Sequence, residues 1–284
     1  VDASAPLGAP ALGPVVIAHR GGAGLAAENS LAAFEASWAL GVRTLETDAQ
    51  VTADGVVVAF HDATLDRTTS LTGPVRARPW SQLRHVPGLL RMEDLLTALP
   101  DAEVLIDVKD EAVIEPLSSV LRRTGAGPRV CVAGGWDSWL QAVADRSPGT
   151  SMALGWKSLS SLMWAARIGT RPLRPLRRGA VAAHVPWRLG GVPWLADRRL
   201  TTRLVELAHP RGIVVRAWTI NDPVHIRRLV DDGVDAVITD RPDLARDTLI
   251  DLGRWVPMGP TAAITARSTP VVRHPDPGVT GITA

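Results

Sequence analysis

The sequence predicts a (β/α)8 TIM barrel with a small insertion after the second strand–helix region, at about residues 63–90. Three observations predict it. Short apolar, β-branched runs recur along the chain with helical patterns between them. The runs are nearly continuous in apolar residues, which suits a parallel sheet covered on both faces. With "GVVVAFH" counted as an extra strand after the second, eight strands are each followed by a helix. A doubly wound open sheet is the alternative. No Gly-x-Gly-x-x-Gly turn follows the first strand, which weakens its dinucleotide-binding version.

Strands are expected at 14–19, 43–48, 55–61, 102–107, 129–134, 150–155, 179–185, 212–219 and 235–240. Helices are expected at 30–40, 92–99, 112–123, 137–145, 159–168, 201–209, 223–231 and 242–251. Asn29 or Ser30 fits the first helix start, and Pro223 and Pro242 open the last two. Gly41, Gly125 and Gly233 fall just past helix ends. Residues 63–90 are rich in turn formers and too long for a simple connection, so they read as an insertion over one end of the barrel. Residues 1–13 form an N-terminal extension, 14–255 the barrel domain, and 256–284, rich in Pro, Gly and Thr, a flexible tail.

Composition narrows the function. The chain has 284 residues, enough for one large core, and its net charge is only +2. No basic run interleaved with aromatics occurs, so a nucleic-acid partner is not expected. No apolar run reaches a transmembrane span. No leader is visible at Val1, which predicts a cytoplasmic protein, although a secreted chain already trimmed of its signal would look the same. The single cysteine, Cys131, sits in an apolar run and reads as a buried, inert thiol.

In such a barrel, chemistry gathers where strands end. His19-Arg20 end the first strand, Glu46 and Asp48 the second, His61 the extra strand, and Asp107 and Lys109 the third. Residues two apart on a strand share a face. Glu46, Asp48 and Asp107 can therefore converge at one mouth. Each alone could cap a helix or pair with an arginine. Together they repel unless a cation sits among them, and oxygen ligands without thiols suit Mg2+ or Ca2+. Two histidines beside such a metal are what phosphodiester cleavage needs, one imidazole taking a proton and the other giving one. Arg20 and Lys109 would hold phosphate oxygens.

"AHRGG", "AENSLAAFEAS", "LETDAQVTADGVVVAFHD" and "LDRTT", in that order, resemble the glycerophosphodiester phosphodiesterases. "VLIDVKD", "VRAWTIND" and "GVDAVITDRPD" extend the resemblance to about residue 250. It implies a TIM barrel that hydrolyses a small-molecule glycerophosphodiester to glycerol 3-phosphate and an alcohol with a divalent metal. It implies His19 and His61 as the acid–base pair, and Glu46, Asp48 and Asp107 as metal ligands. It also implies Arg20 and Lys109 on phosphate, Glu28 and Asn29 shaping the mouth, and Trp218 lining the alcohol or glycerol side. The family usually has Glu where this chain has Asp107, one methylene shorter, so Asp107 is expected to be the weakest ligand. Ten tryptophans and no tyrosine, with Trp156, Trp187 and Trp218 at strand ends, suggest an apolar wall. That keeps open lysophospholipase D or sphingomyelinase D-like cleavage of a larger lipid phosphodiester. A catalytically silent phosphodiester-binding barrel would have lost one of His19, His61, Glu46 and Asp48, and all four are present.

Overall fold

The structure, a computed structural model, describes residues 14–172 and 176–256. The expected extension 1–13, and all but the first residue of the expected tail 256–284, lie outside the described residues. The chain runs β1 (Val15–Ala18), α1 (Leu31–Ala39), β2 (Thr44–Val51) and β3 (Val57–Ala59). Next come α2 (Trp80–Leu83), β4 (Leu90–Arg91), α3 (Met92–Ala98), β5 (Glu103–Val108) and α4 (Ile114–Thr124). Then follow β6 (Val130–Gly134), α5 (Asp137–Arg146), β7 (Ser151–Ala153), α6 (Trp156–Ile168), β8 (Ala180–Pro186), β9 (Arg188–Leu189) and β10 (Val192–Pro193). The last five are α7 (Arg198–Ala208), β11 (Val214–Trp218), α8 (Pro223–Asp231), β12 (Ala236–Thr239) and α9 (Pro242–Asp251).

Eight strands close a parallel barrel in the order β1-β2-β5-β6-β7-β8-β11-β12, with β12 returning to β1. Small residues fill part of the interior, with Ala133, Ala153, Ala182 and Val214 in one cluster and Ile17, Leu105, Cys131, Ala236 and Ile238 in another. The Cys131 thiol is buried, as its apolar context implied. A larger core between barrel and helices includes Phe34, Leu45, Ile106 and Leu117.

The extra strand explains itself through direction. β2 runs past its barrel neighbours, turns at Gly55 in the left-handed region (φ +81°), and β3 comes back antiparallel. The Phe60 N–H donates to the Asp48 carbonyl at 3.0 Å, so the chain returns to the rim as His61 begins. The insertion lies between β3 and α3. Val58, Phe60, Leu65, Val75 and Leu83 give it a small core of its own.

Helix boundaries depart from the sequence pattern where a side chain caps from outside it. The α6 helix begins at Trp156 because the Asp137 carboxylate accepts from the Gly155 and Ser158 N–H groups. The α7 helix begins at Arg198 because Asp197 accepts from the Arg199 and Leu200 N–H groups. For α1 the cap is Ser30, not Asn29. Asn29 instead takes a left-handed conformation (φ +58°) and turns its amide into the site.

Candidate active site

The C-terminal ends of the strands surround a pocket lined by His19, Arg20, Glu46, Asp48, His61, Asp107 and Lys109 on one side. Leu154, Trp156, Leu159 and Trp218 line the other. Seven residues expected at the mouth thus share one cavity with Trp218. Glu28 and Asn29 support it from behind. Trp187 is not among the lining residues; it stacks on His225 with ring centroids 4.3 Å apart. No residue of 63–90 is among the lining residues, and the insertion meets the mouth through Arg67.

The turn after β1 places His19 and Arg20. Arg20 adopts φ +50°, and its N–H donates to Glu46 Oε2 at 2.8 Å. Gly21 and Gly22 follow because the turn presses on α1. A Cβ on Gly21 would lie 2.8 Å from the Phe34 ring, and one on Gly22 2.6 Å from Ser37 Oγ.

Each histidine has a carboxylate behind it. His19 Nδ1 donates to Asp240 Oδ1 at 2.6 Å, and Asn221 Nδ2 donates to Asp240 Oδ2 at 2.8 Å. His61 Nδ1 donates to Asp62 Oδ1 at 2.6 Å. A carboxylate only accepts, so both rings carry their proton on Nδ1 when neutral and keep Nε2 for another partner. Burial alone would lower the His19 pKa. The Asp240 hydrogen bond and the charges of Glu46 and Asp240 outweigh it and raise the pKa. Asp62 is pulled down to about 2, chiefly by Arg67.

Arg67, from the insertion, is the hinge pin of a second network. Its Nε donates to Asp62 at 2.5 Å, and Nη1 and Nη2 donate to Glu28 at 2.9 and 2.6 Å. Glu28 in turn accepts from Arg20 Nη1 at 3.1 Å. One guanidinium therefore ties the support of His61 to that of Arg20.

The acids divide unequally. Asp48 is fully buried and faces two cations and an amide donor: Lys109 Nζ at 2.8 Å, Arg20 Nε at 3.5 Å and Asn29 Nδ2 at 3.0 Å. Burial would raise its pKa, but Lys109 holds it below the usual range. Asp107 also faces Lys109, at 2.6 Å. Burial works against the Lys109 charge, yet Asp107 and Asp48 raise its pKa well above the ordinary lysine value. Glu46 has no such cation. Burial and then the Asp48 charge push its carboxyl up to about 7. Arg20 Nε is buried without a hydrogen-bond acceptor.

This donor chemistry fits a hard divalent cation. Glu46 offers carboxylate oxygens that no lysine or arginine side chain pairs among the described residues, with His19 Nε2 4.0 Å away, and Asp48 and Asp107 line the same cavity. Among the described residues, no three His, Cys, Asp or Glu side chains are grouped closely enough to hold an ion as they stand. The Lys109 ammonium lies between Asp48 and Asp107 instead. Deeper in the barrel, Arg216 Nη1 donates to His184 Nε2 at 3.3 Å. Burial and then Arg216 hold His184 well below the normal range, so it is neutral.

Asp240, Asn221, Asp62 and Arg67 were not among the expected site residues. Asp62 and Arg67 stand in quoted motifs and Asp240 at a strand end, so position was the available signal. Which side chain each one meets is set by the barrel's closure, across as many as 221 residues of sequence.

A profile described as the glycerophosphoryl diester phosphodiesterase family matches residues 19–129 and 159–244. A Mycobacterium tuberculosis protein named probable glycerophosphodiester phosphodiesterase 2 is 36% identical over 260 residues, covering 86% of this chain and 93% of its own. A human protein named lysophospholipase D GDPD1 is 23% identical, covering 82% of this chain and 85% of its own. A crystal structure from Silicibacter pomeroyi, at 23% identity, superposes with a TM-score of 0.71 over 88% of this chain and 98% of the other.

Proposed function

The chain belongs to the glycerophosphoryl diester phosphodiesterase family, and on that premise we propose how this site cleaves its substrate. The enzyme is a phosphoric diester hydrolase. In the proposed reaction a glycerophosphodiester and water give glycerol 3-phosphate and an alcohol. The bond between phosphorus and the alcohol oxygen breaks. The observation that carries the reading is the pair of imidazoles lining one pocket, each with Nδ1 held 2.6 Å from a carboxylate and Nε2 left for substrate.

His19 and His61 form the acid–base pair. Asp240, supported by the neutral Asn221 amide, favours the imidazolium of His19, which suits the acid that protonates the leaving alkoxide. His61, whose supporting Asp62 is itself bound by Arg67, takes the proton of the nucleophile. The nucleophile is water or the substrate's own glycerol 2-hydroxyl. Arg20 and Lys109 line the pocket, and their guanidinium and ammonium groups are offered to the phosphate oxygens.

Glu46, Asp48 and Asp107 would hold a divalent metal, Mg2+ or Ca2+, with Asp107 the weakest because it is one methylene shorter than the glutamate usual in the family and Lys109 engages it. When bound, the ion would supply positive charge against the negative charge that builds on the phosphoryl oxygens. Residues 14–255 are taken as one phosphodiesterase domain, supported by barrel closure from β1 to β12 and by α9 lying against β1.

A second reading, lysophospholipase D or sphingomyelinase D-like cleavage of a larger lipid phosphodiester, is favoured by the wall of Leu154, Trp156, Leu159 and Trp218. The test is a screen of glycerophosphodiesters and a lysophospholipid after chelation and add-back of each metal. Release of glycerol 3-phosphate supports the first reading. Cleavage of the lysolipid alone selects the second. No release from any diester overturns both.

A further inference from the structure

We propose that one arc of the pocket's rim docks on an anionic phospholipid bilayer. The inference rests on the placement of the catalytic pocket at this mouth. The arc is built by the loops after β6, β7, β8 and β11, four neighbours in the barrel. Each carries exposed apolar side chains where it leaves the rim. Trp136 follows β6 and is 62% exposed. Trp156 follows β7. Leu189 and Val192 (55% exposed) form the β9–β10 hairpin after β8, and Val224 (70% exposed) follows β11. The Trp187–His225 stack ties the β8 loop to the start of α8, so these loops form one surface. The remaining exposed large apolar residues among those described are Trp164 and Ile168 on α6, and Ile250 and Val256. Trp164 and Ile168 follow Trp156 by eight and twelve residues, so the apolar surface runs on down the outer face of α6.

The other half of the rim is different in kind. After β1, β2 and β3 it presents Arg20, Glu28, Asp62 and Arg67, bound to one another. Among the described residues, apolar exposure at the rim is therefore segregated to one arc.

Charge selects the occupant. Between Asp145 and Asp197 the sequence has no acidic residue, while Lys157 and Arg188 stand on the arc and Arg167 on α6. The acids that border the arc are engaged as helix caps. Asp137 accepts from Gly155 and Ser158, Asp197 from Arg199 and Leu200, and Asp222 from Val224. Tryptophan and aliphatic side chains flanked by lysine and arginine suit the boundary between headgroups and acyl chains of an anionic membrane. The surface is also continuous with the pocket, because Trp156 both lines the cavity and belongs to the arc. Docked this way, the apolar wall would face the lipid that carries the diester.

The test is co-sedimentation with vesicles of phosphatidylcholine alone, or mixed with phosphatidylglycerol. The intact protein should bind the anionic vesicles at least about tenfold more tightly than the neutral ones. The W136S/L189S/V192S variant should lose about tenfold or more of that binding. K157Q/R188Q should lose about fivefold per charge removed, with the loss disappearing at high salt. Neither variant alters a pocket-lining side chain, so turnover of a water-soluble glycerophosphodiester should stay within about twofold of the parent. Because the two variants change different side chains, misfolding of one, seen by circular dichroism, leaves the other decisive. Equal binding to both vesicle types, or undiminished binding by a folded variant, overturns the proposal. So does a stable dimer in solution that shields Trp136. Sedimentation needs no turnover, so an enzyme silent on every soluble diester would refute the catalytic reading and leave the docking result standing.

Discussion

Replacing Asp240 with asparagine tests the role given to His19. The substitution keeps an oxygen near His19 Nδ1 but removes the charge that favours the imidazolium. Hydrogen bonds to charged groups contribute about 1.5–3 kcal/mol. The Asp240 side chain is partly exposed to solvent, so the lower end applies. At about 1.4 kcal/mol per decade that is roughly a tenfold loss. Asn221 Nδ2 already donates to Asp240 Oδ2, so D240N also sets one amide N–H against another or forces a flip. The expected loss in kcat/KM near neutral pH is therefore about 10–100-fold. The pH profile carries a sign. His19 serves as an acid only while protonated, and Asp240 raises its pKa. D240N lowers that pKa, so the alkaline limb of kcat/KM moves toward lower pH. A nitrophenyl phosphodiester needs little protonation as its alcohol leaves, so D240N and His19→Ala should recover much of their activity on it, whereas His61→Ala should not. A D240N enzyme within twofold of the parent at every pH, or an unmoved alkaline limb, refutes the assignment. Equal impairment of both histidine variants on the activated ester would mean that the acid–base pair is misassigned.

Exhaustive chelation should abolish turnover, and Mg2+ or Ca2+ should restore it; full activity in chelated enzyme would remove the metal from the mechanism. Calorimetry of metal binding should show E46Q losing more affinity than D107N, because Lys109 already engages Asp107; equal losses would make Asp107 a full ligand. Arg67→Ala should lower kcat about tenfold while costing only about 1 kcal/mol of stability, since its pairs are half exposed and screened. Arg67→Lys should rescue little, because an ammonium cannot reach Asp62 and Glu28 with one planar fork; full rescue would show that charge alone matters. Replacing 70–84 with a Gly-Ser linker removes Val75 and Leu83 from the insertion's core, at a cost of about 3–6 kcal/mol in a chemical denaturation curve. Preference between bulky and small esters should stay unchanged, and a rise for bulky esters in a folded variant would show that the insertion gates the mouth.

Most strands were legible because they are nearly continuous apolar runs, the pattern of a strand covered on both faces, although β2, TLETDAQV, breaks that pattern with its acids. The convergence of Glu46, Asp48 and Asp107 was legible from period two along β2 and β5. Pairing was not. That Lys109 bridges Asp48 and Asp107 depends on the register that sets Asp48 beside Asp107 across β2 and β5. That Asp240 reaches His19 depends on β12 closing against β1. Helix starts failed in the same way. The cap for α6 is Asp137, the first residue of α5, so no local signal marked Trp156. The insertion's contacts were not legible either: following His61 in sequence fixes where the segment starts, and only the fold brings Arg67 onto Asp62 and Glu28.

Direction explains why the site needs a hairpin at all. All eight barrel strands are parallel, so every side chain at their C-terminal ends rises from the same level. In-line displacement at phosphorus wants an acid and a base on opposed sides of the phosphoryl group. A ring of parallel strand ends supplies one side readily. The other side calls for a segment that passes the rim and comes back. β2 overshoots its neighbours, Gly55 permits the turn, and antiparallel β3 delivers His61 to the rim from above. β3 ends at Ala59, so His61 lies past the strand and its ring is fixed by side chains. Asp62 fixes the ring, Arg67 fixes Asp62, and Glu28, which also holds Arg20, fixes Arg67. The "HD" and "LDRTT" stretches thus belong to one device, in which the insertion braces a catalytic group that the barrel cannot reach with its own strands.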